Sequence, residues 1–217
     1  MPNQSNSSND EASKRRLEKK EILKVLRSLQ NTDYVHPDEI PNIGLYMDQV
    51  TTFMNDHLKS SKRFKDDKIL TKTMINNYTK NDLLPPPEKK KYSREHMLLL
   101  IYIYYLKNFL SINDIKKIID PLIENYFHDE KNGLSLSDIY DKVVENEEKN
   151  ISSQVNDIIR KLKLSLDSFE DVEDEDDREV LTNFMFICML SFDVYLKKML
   201  IEKIIDGTLG EKKDPKE

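Results

Sequence analysis

Residues 72–119 read KTMINNYTKNDLLPPPEKKKYSREHMLLLIYIYYLKNFLSINDIKKII, and the fold is decided there. Residues 71–81 have the spacing of a short helix, with Met74, Ile75 and Tyr78 near one helical face and hydroxyls, amides and lysines on the other. Such a helix buries one side and offers the other. Leu83 and Leu84 then enter a core, and Pro85, Pro86 and Pro87 forbid a helix. Glu88, Lys89, Lys90, Lys91 and Tyr92 follow, placing positive charge beside the offered face. Ser93 is positioned to cap a helix running to about residue 108. Its content from Met97 to Leu106 is apolar on nearly all sides, which predicts the central core element.

Working outward, residues 1–12 form a polar tail, and residues 13–30 (SKRRLEKKEILKVLRSLQ) predict a charged amphipathic helix with Leu17, Ile22, Val25, Leu26 and Leu29 as its sparse apolar face. His36-Pro37 and Ile40-Pro41 make residues 31–42 an extended linker, because each proline pushes its predecessor out of the helical region. A helix over residues 43–58 offers Leu45, Tyr46, Val50, Phe53, Met54 and Leu58 to the core, and residues 59–68 are a polar, basic loop. Ser111 and Asp114 open a helix to residue 119, and Asp120-Pro121 restarts one with proline at its first position. The capping pattern recurs at Ser135 and Asp138. Ile151, Val155, Ile158, Ile159, Leu162 and Leu166 form one stripe over residues 150–166, and residues 176–205 read as a last long helix rich in Phe, Met and Leu. No strand pattern and no fixed-period repeat emerges. The expected division is a tail (1–12), a charged helix and linker (13–42), a core domain (43–119) and an acidic helical domain (120–217).

Composition agrees with a helical chain. Of 217 residues, 38% are hydrophobic and 34% charged, with only 4 Gly and no Trp. The longest apolar run is about half of the roughly 20 residues a membrane span needs, and no targeting segment is visible, so a cytoplasmic address and no membrane partner are expected. The net charge of −6 is unevenly spread. Residues 59–94 hold 11 Lys and Arg against 4 Asp and Glu, net +7, whereas residues 120–217 hold 13 against 25, net −12. The basic block coincides with the short helix and turn.

Catalytic patterns are sparse. His36, His57, His96 and His128 are far apart in sequence, and no Gly-rich phosphate loop or nucleophile elbow occurs, so no enzyme and no cofactor are expected. The single Cys188 lies in an apolar segment and provides neither a disulfide nor a thiolate metal cluster. Tyr102, Tyr104 and Tyr105 have the spacing of core packing rather than of a base-stacking platform. The acidic run EDVEDEDDRE at residues 170–179 lacks the glycine and ligand spacing of a calcium loop and reads as a solvated linker.

The stretch resembles the MerR-type winged helix-turn-helix regulators. Aligned on Leu83-Leu84, Met74-Ile75-Asn76-Asn77-Tyr78 corresponds to the end of their reading helix, and Asp82 stands where they have glycine. Tyr92-Ser93 corresponds to the end of their wing, and Phe109-Leu110-Ser111-Ile112-Asn113-Asp114-Ile115 to their Gly-Phe-Ser-Leu-Glu-Glu-Ile element. More closely, residues 43–119 resemble the bacterial domain of unknown function 1836, a family placed among MerR-like DNA-binding folds. Asn76 replaces the common arginine, Met74 a threonine, the wing lacks its glycine, and the loop 59–68 exceeds a tight turn. A basic stub is therefore expected in place of a full hairpin.

The resemblance implies an all-α protein with a MerR-like winged helix-turn-helix core and an additional C-terminal helical region. Its implied work is sequence-specific DNA binding as a transcriptional regulator. The expected DNA-binding residues are Thr71, Lys72, Thr73, Asn76, Asn77, Tyr78 and Lys80 on the helix, with Lys89, Lys90, Lys91 and Tyr92 in the turn. Tyr78 is equally open to a place in the core. The expected partners are double-stranded DNA with a near-palindromic operator and a second copy of the chain. A small-molecule or protein effector at the C-terminal helices is also open. The alternative is a helical protein-interaction adaptor that has kept the winged fold and lost DNA.

Overall fold

The computed structural model describes residues 24–26 and 34–209. The expected tail and most of the expected helix over 13–30 lie outside the described residues; residues 24–26 are helical, with Leu26 buried. The described chain is mostly helical and forms two compact units, one of residues 35–145 with 191–209 and the other of residues 24–26, 34 and 146–190. Among the described residues no helix is long and apolar enough to cross a membrane.

In the first unit a short 3-10 turn, Pro37–Glu39, leads to strand β1 (Leu45–Tyr46) and helix α1 (Met47–Leu58). The expected linker is thus partly a packed element: Val35 and Ile40 are each 2% exposed, and the Arg94 guanidinium donates to the Pro37 carbonyl. The expected helix over 43–58 begins four residues late. Leu45 and Tyr46 pair antiparallel with β2 (Lys91–Tyr92), opposite Tyr92 and Lys91 respectively. Pairing buries Leu45 and Tyr92 together and turns Tyr46 to solvent, so Tyr46 is not a core residue.

Helix α2 (Lys72–Lys80) opens at Thr71, whose hydroxyl accepts the Met74 amide at 3.2 Å. Helix α3 (Arg94–Leu106) is the centre of the core. Met97 to Ile101 and Ile103 are fully buried, as an apolar circumference requires. Tyr104 is also buried, and Tyr102 packs edge-on against Tyr140 at 5.2 Å, so the tyrosines do form core contacts.

Helix α4 (Ile112–Tyr126) starts at Ser111, whose hydroxyl accepts the Asp114 amide at 3.1 Å. It runs through Pro121 instead of restarting there. Proline forfeits one intrahelical bond, but Ile115 and Ile119 before it and Phe127 beyond it are buried and keep the axis in place.

Helix α5 (Leu136–Asp167) is continuous where two separate stretches are expected. Ser135 and Asp138 exchange reciprocal caps at its start: the Asp138 carboxylate accepts the Ser135 amide at 2.8 Å and the Ser135 hydroxyl accepts the Asp138 amide at 3.1 Å. Those contacts with Ser135 hold the Asp138 carboxyl below its ordinary range. In the second unit Val155 and Leu162 are buried along α5, and Ser165 donates to the Lys161 carbonyl at 2.9 Å. The acidic run is mostly exposed; Asp174 accepts the Asp177 amide at 2.9 Å and opens helix α6 (Glu175–Ile204).

Candidate functional site

The two faces of α2 separate cleanly. Ile75 is fully buried and Tyr78 is 8% exposed, while Lys72, Thr73, Asn76, Asn77 and Lys80 are exposed and Thr71 is half-buried at the cap. The side-chain amides of Asn76 and Asn77 make no hydrogen bond to another described residue. Burial pushes the Tyr78 and Tyr92 hydroxyls up from their ordinary range. Both rings belong to the core, where they hold the surface in place rather than form it. Lys72 is engaged by the Asp48 carboxylate of α1, which offsets one positive charge at the start of the helix.

After α2, the Leu83 amide bonds to the Tyr78 carbonyl at 2.9 Å, and Leu83 and Leu84 are buried as expected. Asp82 has φ 54°. Aspartate tolerates this left-handed region better than most residues do. The three prolines then lead into a tight turn. Lys91 donates its amide to the Glu88 carbonyl at 2.8 Å, with Lys89 at φ 47° and Lys90 at φ 66°. Positive φ at both central positions is the hairpin-type turn that ordinarily selects Asn-Gly. Lysine at both carries strain, and it places two ammonium groups at the tip.

The expected basic stub is therefore a wing-like element of one tight turn and a two-residue ladder to β1. Sequence reasoning missed β1 as its second strand. A two-residue strand whose partner lies some 46 positions further on leaves no local signal. A side chain at Gly44 would come within 3.0 Å of the Lys91 Cβ. Lys91 extends over the Tyr46 ring, its ammonium 5.3 Å from the centroid.

The wing is anchored to α3 through His96, which is 3% exposed. Its Nδ1 accepts the Ser93 amide at 3.0 Å, and its ring is flanked edge-on by Tyr92 at 5.5 Å and Phe127 at 4.8 Å. Burial lowers its pKa, outweighing the carbonyls of Pro86 and Pro85, which favour the charged ring. The loop before α2 is pinned at both ends to the other end of α3. Ser61 hydrogen-bonds the Tyr104 hydroxyl, and Lys107 donates to the Ile69 carbonyl at 2.8 Å.

Among the described residues there is no group of three or more His, Cys, Asp or Glu side chains placed to hold a metal ion. A shallow groove of about 390 Å³ along α1 is lined by Leu45, Phe53, Asp48, Asp56 and His57 among others. Its two carboxylates are unsuited to a phosphate.

A comparison with curated proteins and with solved structures finds no match. Residues 35–143 match the family described as "Domain of unknown function (DUF1836)". The match takes in β1, β2, α1 to α4 and the first turns of α5, a wider span than the expected 43–119. The exposed face of α2 and the wing beside it thus lie wholly inside a recognised unit, and the chain belongs to the DUF1836 family.

Proposed function

We propose that the chain is a sequence-specific, DNA-binding transcriptional regulator built on a MerR-like winged helix-turn-helix. One observation carries the reading: α2 buries Ile75 and Tyr78 and leaves Lys72, Thr73, Asn76, Asn77 and Lys80 exposed, directly before a wing whose tip is two lysines in left-handed backbone. Thr73, Asn76 and Asn77 have the donors and acceptors to read base edges. Lys80, Lys89, Lys90 and Lys91 supply sequence-independent attraction to phosphates. The chain works as a homodimer on a near-palindromic site, a reading supported by the apolar side chains that α6 leaves exposed, among them Phe184, Ile187, Phe192, Leu196 and Leu200. The same helices are the place for a small-molecule or protein effector.

The test is selection of duplex fragments from a genomic pool, followed by footprinting of the recovered sequences. Recovery of one recurrent, near-palindromic sequence supports the regulator; recovery without sequence preference contradicts it. A second reading is favoured by the Lys72–Asp48 pair and the exposed apolar residues of α6: a helical adaptor that has kept the winged fold and binds protein. Its signature is association that is insensitive to duplex competitor.

A further inference from the structure

We propose that strand β1 is half of the phosphate-binding surface: Gly44 and Tyr46 fix the stem of Lys91, so that its ammonium and the Tyr46 hydroxyl together meet the backbone of duplex DNA. The inference rests on the DNA-binding reading above and adds two residues to it.

The ladder sets Tyr46 directly opposite Lys91, and the flanking pair Leu45 and Tyr92 is buried at 5% and 3% exposure. Lys91 therefore starts from a fixed backbone. Its Cβ and Cδ lie 3.0 Å and 3.2 Å from where a Cβ at Gly44 would stand, so the stem lies across the glycine. Gly44 does not have the left-handed φ that favours glycine. Space for the lysine is what calls for glycine there. Beyond Gly44 the ammonium sits over the Tyr46 ring, and Tyr46 is 53% exposed.

A surface lysine ordinarily loses much rotamer freedom when it engages a ligand. Here Gly44 leaves room for the stem and the Tyr46 ring holds the ammonium, which reduces what binding must order. Asp48, two residues beyond Tyr46, is engaged by Lys72 and so does not neutralise Lys91. The cation and the phenol remain turned outward at the edge that leads to the lysine tip. Phosphate oxygens accept from both groups.

The experiment measures affinity for a duplex the wild type binds, as a function of salt, for Gly44→Ala, Lys91→Ala, the double variant and Tyr46→Phe in the full chain. Gly44→Ala crowds the Lys91 stem by a few tenths of an ångström and is expected to weaken binding roughly three- to tenfold by tilting its ammonium. It lowers the slope of log affinity against log salt by about 0.9, one phosphate contact, as Lys91→Ala does. The double variant is expected to be no weaker than Lys91→Ala. Tyr46→Phe keeps the ring and the strand and is expected to weaken binding with the slope unchanged. It is a conservative change on an exposed ring, so it tests the idea even where Gly44→Ala disturbs folding. Wild-type affinity in both Gly44→Ala and Tyr46→Phe, with Lys89→Ala still weakening the complex, overturns this inference alone. Failure of the wild type to bind any duplex overturns the underlying reading as well.

Discussion

The Lys107 ammonium donates a 2.8 Å hydrogen bond to the carbonyl of Ile69, two residues before the cap of α2. The same ammonium lies 5.0 Å from the centre of the Tyr104 ring, and burial lowers its pKa. One side chain at the end of the central helix thus fixes the start of α2. Lys107→Met is expected to lower the free energy of unfolding by about 1 kcal/mol, because the carbonyl loses its donor while the apolar stem is replaced. Urea denaturation checks this, and unchanged stability would show that the contact is not maintained in solution.

The two faces of α2 should respond oppositely to truncation. Ile75→Ala empties a fully buried site and is expected to cost roughly 2–5 kcal/mol of stability. Asn77→Ala, on the exposed face, should change stability by no more than about 0.5 kcal/mol while relaxing the sequence preference of bound duplex. Thermal unfolding and fragment selection on the same two variants read out both effects.

The wing tip predicts a trade between stability and binding. Replacing Lys89-Lys90 by Asn-Gly gives the turn its preferred residues at φ 47° and 66° and relieves strain of about 1 kcal/mol or more. Unfolding should shift to higher denaturant while duplex affinity falls. If stability does not rise, the left-handed turn is not the resting conformation. If affinity is retained, the tip lysines are not phosphate contacts.

Burial lowers the His96 pKa below its ordinary 6.5, so the unfolded chain takes up a proton that the folded chain refuses. Its contribution is fully present above the unfolded value and is lost as pH falls from about 6.5 toward the lower folded value. Stability should therefore decline as pH falls below about 6.5, above the range in which depressed carboxylates such as Asp138 and Asp157 act. His96→Gln retains an acceptor for the Ser93 amide and removes the titration. It should flatten that part of the profile, and an unchanged decline would assign it to another group.

The parts of this fold legible in the sequence are those specified locally. Thr71, Ile75 and Tyr78 lie within eight residues, and cap and period together place α2. The apolar circumference of α3 declares its own burial. β1 was illegible because it is two residues long and its partner lies some 46 positions further on, so neither alternation nor length marks it. The wing turn was equally hidden, since Lys-Lys carries none of the usual chemistry of positive φ. Proline misled at Pro121, where the packing of Ile115 and Ile119 outweighs one lost hydrogen bond. On the candidate surface the exposed face of α2 was readable from the period. Tyr78 and Tyr92 differ from it in burial alone, which depends on residues distant in sequence.

The most direct test of the central claim is protection of the chain's own upstream promoter DNA at low and moderate salt, comparing wild type with a Lys89→Ala, Lys90→Ala, Lys91→Ala triple variant. The account predicts a defined protected site for the wild type, and for the triple variant weaker binding to all duplexes with a salt slope smaller by roughly 2 to 3. Wild type without preference for any duplex, or a triple variant with the affinity and salt slope of the wild type, would contradict it.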